Sequence, residues 1–263
     1  MLVNGIFWIL SVVGTALLLL ACPCLSPWWS PLLLVGCYVL FAVLELLGVL
    51  LFSCFMRKAG DTPARRFFYR LISHTAEWVV LLCGTRCVIE HADRLPQGIP
   101  FLLVSNHLSN LDPLVTMAAV REHPLAFVSK PENFKIPVAA PIMRNAAFLP
   151  IDRENPRNAV STIKTAAQQI AQRQLCMGIY PEGTRNKSGE GLLPFHNGSF
   201  KIATTAKCPV AVLTLRYEKA SFPLKKRARI RVVDVLDADY VAANRTDAIS
   251  DRVLLLIKSD LGL

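Results

Sequence analysis

The first 56 residues contain no lysine, no arginine and a single charged side chain, Glu45. A stretch so poor in charge reads as embedded in lipid rather than as part of a solvated surface. All 29 basic residues and 18 of the 19 acidic ones therefore lie beyond position 56, leaving the body with eleven excess positive charges that draw it to anionic surfaces or ligands. Metal-ligand spacing is also missing. Of the eight cysteines, Cys22 and Cys24 stand too close for a zinc knuckle, and histidine partners are absent. The cysteines read as small buried hydrophobes in a reducing compartment, and no metal site is expected. The glycine-rich loop at 181–191 lacks the Lys-Ser/Thr ending of a nucleotide P-loop, which excludes that reading. There is no internal repeat and no low-complexity tail.

What the chain does have is apolar length. Leu2–Cys22 and Leu32–Met56 are almost unbroken apolar runs, each reaching the roughly 20 residues a helix needs to cross a hydrocarbon core. Between them Pro23, Pro27 and Pro31 break both helices, and Trp28 and Trp29 suit a membrane interface. A membrane-embedded two-helix hairpin is expected over residues 1–59, followed by a second domain over residues 60–263 that is long enough to bury a core. A secretory signal does not fit, because the first run has no basic n-region and its apolar core is too long. The same lack of upstream basic residues argues against a lipoprotein box at Leu19–Cys22. Arg57, Lys58, Arg65 and Arg66 follow the second run while the hairpin loop is uncharged, so the positive-inside rule places the body and the N-terminus on the cytoplasmic side of a cell membrane. Glu45 is costly facing lipid. It calls for a partner, or for a short hairpin seated in one leaflet, and the composition admits both spanning and re-entrant forms.

Beyond the linker Gly60–Pro63 an amphipathic helix runs to Leu82, and then strands and helices alternate. Strands are expected near 87–90, 101–105, 125–129, 148–151, 175–180, 210–216 and 229–235. Helices are expected near 113–120, 157–173, 198–206 and 247–258. Such alternation predicts an α/β fold, a layered sheet with flanking helices.

The chemistry concentrates where strand 101–105 ends. His107 follows at once, and Asp112 precedes Pro113 at the start of an apolar helix, at or next to its N-cap. An imidazole can take a proton from a hydroxyl, and a carboxylate on its other nitrogen fixes tautomer and orientation. Four intervening residues allow the loop to fold back and join them. A helix cap and a turn histidine would look the same. After the strand 175–180, Gly183 removes a side chain where backbone can approach a ligand, and Arg185 offers a planar fork suited to phosphate or carboxylate. Asp152-Arg153 ends a further short strand, and Lys130 another. His196 reads as a rim or structural residue, and His74, His91 and His123 as surface or satisfied core. Arg227, Arg229 and Arg231 alternate along one strand face beside Lys225 and Lys226. That strip reads either as an edge strand kept soluble by charge or as a contact for anionic lipid or an acidic protein.

The blocks Asn106-His107-x4-Asp112-Pro113, Ile151-Asp152-Arg153, Tyr180-Pro181-Glu182-Gly183-Thr184-Arg185 and Pro209-Val210 resemble, in order and spacing, those of the glycerolipid acyltransferases, and most of all the bacterial 1-acyl-glycerol-3-phosphate acyltransferases. The resemblance covers roughly residues 60–237. It implies direct acyl transfer from an acyl-CoA or acyl-carrier-protein thioester to 1-acyl-glycerol-3-phosphate, giving phosphatidic acid. His107 would be the general base and Asp112 its orienting partner. Substrate would be held by Glu182, Gly183, Thr184 and Arg185, with Arg153 and Lys130 adding positive charge. Lys130 stands in a departure from the family pattern, since Pro131-Glu132 follows it. Backbone N–H groups near Gly183 are candidates for the oxyanion. No cofactor or metal is implied beyond the thioester co-substrate. Membrane lipids and the acyl donor are the expected partners, nucleic acid is not, and the oligomeric state is not readable.

Overall fold

The computed structural model describes residues 2–22, 24, 26–56, 63–152, 155–172, 175–188, 191–222 and 224–263. The chain divides into two compact units, Met1–Phe52 and Ser53–Leu263. The first holds α1 (Leu2–Ala21) and most of α2 (Ser30–Met56). Pro27 opens a short 3-10 turn through Trp29 that leads directly into α2. Trp8 on α1 and Tyr38 on α2 pack ring to ring at 5.3 Å, and Ser11, Thr15, Ala42, Glu45 and Val49 are buried. Among the described side chains, many apolar groups of both helices are exposed, as at Leu17, Leu20, Leu32 and Leu51. Among the described residues one helical stretch, Pro27–Ser53, is long and apolar enough to cross a membrane, and Trp8–Ala21 is a shorter apolar helix.

The second unit is a mixed α/β sheet flanked by helices. Helix α3 (Pro63–Leu82) turns at Gly84, which takes a left-handed φ of 73°, into β1 (Thr85–Glu90). Then follow β2 (Leu102–Ser105), α4 (Asp112–Ala119), β3 (Leu125–Ser129), α5 (Ala139–Asn145), β4 (Leu149–Pro150) and α6 (Pro156–Ala171). The chain continues through β5 (Cys176–Ile179), α7 (Lys201–Ala206), the hairpin β6 (Val210–Lys219) and β7 (Lys226–Leu236), α8 (Ala238–Ala243) and α9 (Thr246–Leu261). Local chemistry sets several boundaries. Asn155 caps α6 by accepting from Asn158 N–H ahead of Pro156, and Asp237 caps α8 through Tyr240 N–H. Helix α9 stops at Gly262 in the left-handed region.

The strand order is β1-β7-β6-β2-β5-β3-β4. Strands β6, β2, β5, β3 and β4 run parallel, while β7 and β1 run against them. All seven strands expected from the sequence are present. Strand β7 is not at an edge, however, because β1 pairs along six of its residues and takes the edge itself. The inner strands β2, β5 and β3 are buried on both faces, as a parallel sheet covered by helices requires. Their C-terminal ends share one edge of the sheet, the place where open α/β sheets bind ligands.

Candidate active site

Strand β2 stops pairing at Ser105, opposite Leu213 of β6. The buried Asn106 side chain then stands in for the next ladder residue. Its Oδ1 accepts from Leu215 N–H at 2.8 Å and its Nδ2 donates to Leu215 C=O at 2.9 Å. This frees the main chain to turn away from the sheet without orphaning a backbone group. Next comes His107, whose peptide groups are gripped by the loop after β5. Its N–H donates to Glu182 Oε1 at 2.7 Å, and its C=O accepts from Asn186 N–H at 2.7 Å.

The imidazole of His107 places Nδ1 2.7 Å from Asp112 Oδ2. Asp112 is the first residue of α4, behind an N-cap at Leu111, and its carboxylate does not cap the helix. It turns back into the preceding loop, where Oδ2 also accepts from Leu108 N–H at 2.6 Å and Ser109 N–H at 2.8 Å. The fourth donor is Tyr217 O–H, 2.7 Å from Oδ1. Burying a carboxylate at 0% exposure is tolerable only with such compensation. An ionised Asp112 on Nδ1 fixes the proton there and leaves Nε2 as the nitrogen that accepts one.

The ring of His107 is also set by stacking. It lies on Tyr180 at 4.3 Å and 12° between planes, and Tyr180 lies in turn on Phe127 at 5.6 Å and 9°. Gly178 makes this possible, since a Cβ there would stand 2.3 Å from the Phe127 ring. Burial drives the Tyr180 hydroxyl well above its ordinary pKa, and its neighbour is Thr116 Oγ1 at 3.4 Å. Tyr217 is likewise raised, first by burial and then by the charge of Asp112, so it remains a donor.

The Tyr180–Arg185 loop divides its tasks. Glu182 is buried with Oε1 on His107 N–H and Oε2 on Leu193 N–H at 3.0 Å. Burial raises its pKa, while those two bonds and the neighbouring His107 pull the other way. Both of its oxygens thus serve to hold the site together. Gly183 has φ 75°, and its own N–H closes a turn on Tyr180 C=O at 3.0 Å, so among the backbone N–H groups near this point that one is already spent. Thr184 is exposed. Arg185 is half-buried, with no hydrogen bond or ion pair to another described residue. Lys130, exposed just past the end of β3, likewise has no side-chain hydrogen bond or ion pair to another described residue. Arg153 lies outside the described residues. His196 is exposed and enters through its backbone, donating to Pro181 C=O at 2.9 Å.

The strip on β7 behaves differently. Arg229 is bonded to Glu90 and Glu218, and Arg231 to Glu90 and Asp260, the latter two contacts at 2.8 and 2.9 Å. A polar cavity of 180 Å³ lined by these arginines, Thr214, Arg216, Glu218 and Asp260 is filled with matched charge. It opens on the sheet face opposite Tyr217, because alternate residues of β6 face opposite ways. Among the described residues no cluster of His, Cys, Asp or Glu has metal-site geometry. The thiols of Cys87, Cys176 and Cys208 are pushed up to about 12 by burial, which leaves them inert.

Tyr217, Asn106 as a strand surrogate and Tyr180 as a stacking plate were not recognised from sequence. Tyr217 is 105 residues from its partner in a strand of ordinary alternation, and no local signal marks it.

A model of the Acyltransferase family matches residues 86–216, which contain every one of these contacts to His107 and the Asp112 loop except that of Tyr217. The chain is 28% identical over 178 residues to the 1-acyl-sn-glycerol-3-phosphate acyltransferase alpha of Ovis aries, covering 65% of this chain and 61% of that protein. It is 35% identical over 109 residues to the 1-acyl-sn-glycerol-3-phosphate acyltransferase of Salmonella typhimurium, covering 41% of this chain and 44% of that one. The crystal structure of the 1-acyl-sn-glycerophosphate (LPA) acyltransferase PlsC from Thermotoga maritima shares the fold, with a TM-score of 0.66 at 19% identity over 85% of this chain and 94% of that one. By its matched segment, its fold and its ordered motifs, the chain belongs to the acyltransferase family.

Proposed function

We propose that the protein acylates the free hydroxyl of 1-acyl-glycerol-3-phosphate, taking the acyl group from an acyl-CoA or acyl-carrier-protein thioester and releasing phosphatidic acid and the free thiol. His107 Nε2 takes the hydroxyl proton as the oxygen attacks the thioester carbonyl carbon. The tetrahedral adduct then expels the thiolate, which recovers the proton from the imidazolium. Asp112 holds the imidazole in the accepting tautomer and balances its transient charge. Nothing is transferred to the protein, so no covalent enzyme intermediate forms. Arg185 and Lys130 receive the acceptor phosphate, with Arg153 in the same service.

The observation that carries this reading is the pairing of a fully supported His107–Asp112 dyad with Lys130 and Arg185, two cations without a side-chain partner among the described residues, which follow the neighbouring strands β3 and β5. A base alone fits many hydroxyl acceptors, whereas cations following the strands at the same edge of the sheet favour one that bears phosphate. The ovine and Salmonella relatives, both 1-acyl-sn-glycerol-3-phosphate acyltransferases, support the same acceptor. The helix Pro27–Ser53 provides retention at the membrane where such an acceptor resides, and Arg57, Lys58, Arg65 and Arg66 favour a cytoplasmic catalytic unit.

The test is acyl transfer by the purified chain in vesicles with four acceptors in parallel: 1-acyl-glycerol-3-phosphate, glycerol 3-phosphate, lysophosphatidylcholine and monoacylglycerol. The expected result is clear preference for the first. Preference for lysophosphatidylcholine or glycerol 3-phosphate would move the protein to a different lipid acceptor, and no transfer to any would overturn the reading.

A further inference from the structure

The hairpin of β6 and β7 overshoots the sheet on the side of the site. Strand β2 ends at Ser105 opposite Leu213, but β6 continues six residues further to Lys219. At about 3.3 Å per residue this is an overhang of roughly 20 Å beside His107 and Asp112. Tyr217, which holds Asp112, lies on that overhang. At its tip Phe222 is 96% exposed, more than any other large apolar side chain among the described residues.

The tip is not isolated. Lys225 and Lys226 donate their N–H groups to Gly84 C=O at 2.7 and 3.0 Å, which joins the hairpin to the end of α3. There Leu82 is 72% exposed, with Leu81 and Cys83 exposed beside it. Around these apolar groups stand Lys219, Lys225, Arg227 and Arg86, all exposed. Residues 81–86 and 219–227 contain no carboxylate. Glu218, the acid that precedes the tip, is already bound to Arg229 at 2.9 Å. Lys226 is occupied otherwise, with Nζ 5.6 Å from the Tyr217 ring centroid.

We infer that this tip, Phe222 and Leu82 ringed by Lys219, Lys225, Arg227 and Arg86, is a membrane-contact surface of the catalytic unit that seats in an anionic phospholipid headgroup layer. The inference rests on the proposed function, in which the acceptor must leave a bilayer to reach His107. Basic residues without acids complement an anionic surface, and a fully projecting Phe beside a Leu fits the boundary between headgroups and acyl chains. An acidic carrier protein would satisfy the charges but not the protruding apolar tip. The strip on β7 suggested by sequence has little part in this, since Arg229 and Arg231 are spent on carboxylates.

The full chain is reconstituted in nanodiscs of mixed phosphatidylcholine and phosphatidylglycerol with p-benzoylphenylalanine in place of Phe222. A second variant carries it in place of Ile99, an exposed residue before β2 and so at the opposite edge of the sheet. Irradiation is expected to give phospholipid adducts at position 222 and none at 99. Changing Lys219, Lys225 and Arg227 to Gln should lower the adduct by about fivefold per charge removed. Equal adducts at the two positions, or none, would overturn the inference. So would capture of added acyl carrier protein, or of a second copy of the chain, in preference to lipid. Acyl transfer is measured on the same samples. Transfer without an adduct at 222 sinks the surface and spares the function, while an adduct without transfer does the reverse.

Discussion

Two regions of the catalytic unit concentrate positive charge, and they use it in opposite ways. Along β7 the guanidinium groups of Arg229 and Arg231 are divided among Glu90, Glu218 and Asp260. At the C-terminal ends of β3 and β5, Lys130 and Arg185 are left without a partner among the described residues. The denser cluster is the one already neutralised inside the fold. A cation whose hydrogen bonds are satisfied by the protein holds strands together, and one that is left over is available to a ligand. The site makes the same distinction among its carboxylates. Asp112 and Glu182 are both buried, yet Asp112 faces the His107 ring while Glu182 is consumed by two backbone N–H groups.

The contrast can be broken experimentally, beginning where the effect is greatest. Asp112→Asn should reduce kcat by about 10⁴-fold with circular dichroism unchanged, because an amide facing Nδ1 favours the wrong tautomer. Arg185→Gln comes next, with kcat/KM for the phosphorylated acceptor falling about 100-fold and that for a monoacylglycerol nearly constant, as expected for loss of a charge-assisted fork. An equal deficit on both acceptors would make Arg185 structural and erase the comparison. Glu182→Gln should destabilise the unit by about 1–3 kcal/mol in denaturant titration, since its amide nitrogen must face the N–H of His107 or Leu193.

Glu182 also has a pH signature. Its folded pKa is raised by burial, so the unfolded chain releases this proton first. Its contribution to stability is therefore greatest below the ordinary glutamate range, falls as pH rises through the raised value and is flat above it. The glutamine variant should lack that component of the slope. Arg231→Gln is the smallest case: the thermal midpoint should drop while turnover stays within about twofold of wild type, as for a partly exposed ion pair remote from the chemistry.

Much of this architecture was legible in the chain. The inner strands β2, β3 and β5 are short apolar runs closed by polar residues, and β7 alternates charged with apolar side chains, so both kinds of pattern could be placed. Helix α5 was missed because its seven residues include Pro141, and α8 because six residues are too few for periodicity. Strand order is a long-range property, so β7 looked like an edge until β1 was seen beside it. The dyad could be found because His107 and Asp112 share one loop. Its support was hidden because Tyr217, Glu182 and Asn186 arrive from other strands and loops, and Asn106 acts on Leu215 across 109 positions. The charge pattern showed where arginines lie but not which of them find carboxylates on folding.

The central claim is that His107 takes the proton of the acceptor hydroxyl. The most direct measurement compares purified wild-type protein with His107→Ala in identical vesicles, supplied with 1-acyl-glycerol-3-phosphate and an acyl thioester, by the rate of phosphatidic acid formation. The account predicts that the variant folds, stays with the vesicles and loses at least about 10³-fold in rate, the scale of a positioned general base. Turnover by His107→Ala close to that of the wild type would contradict it.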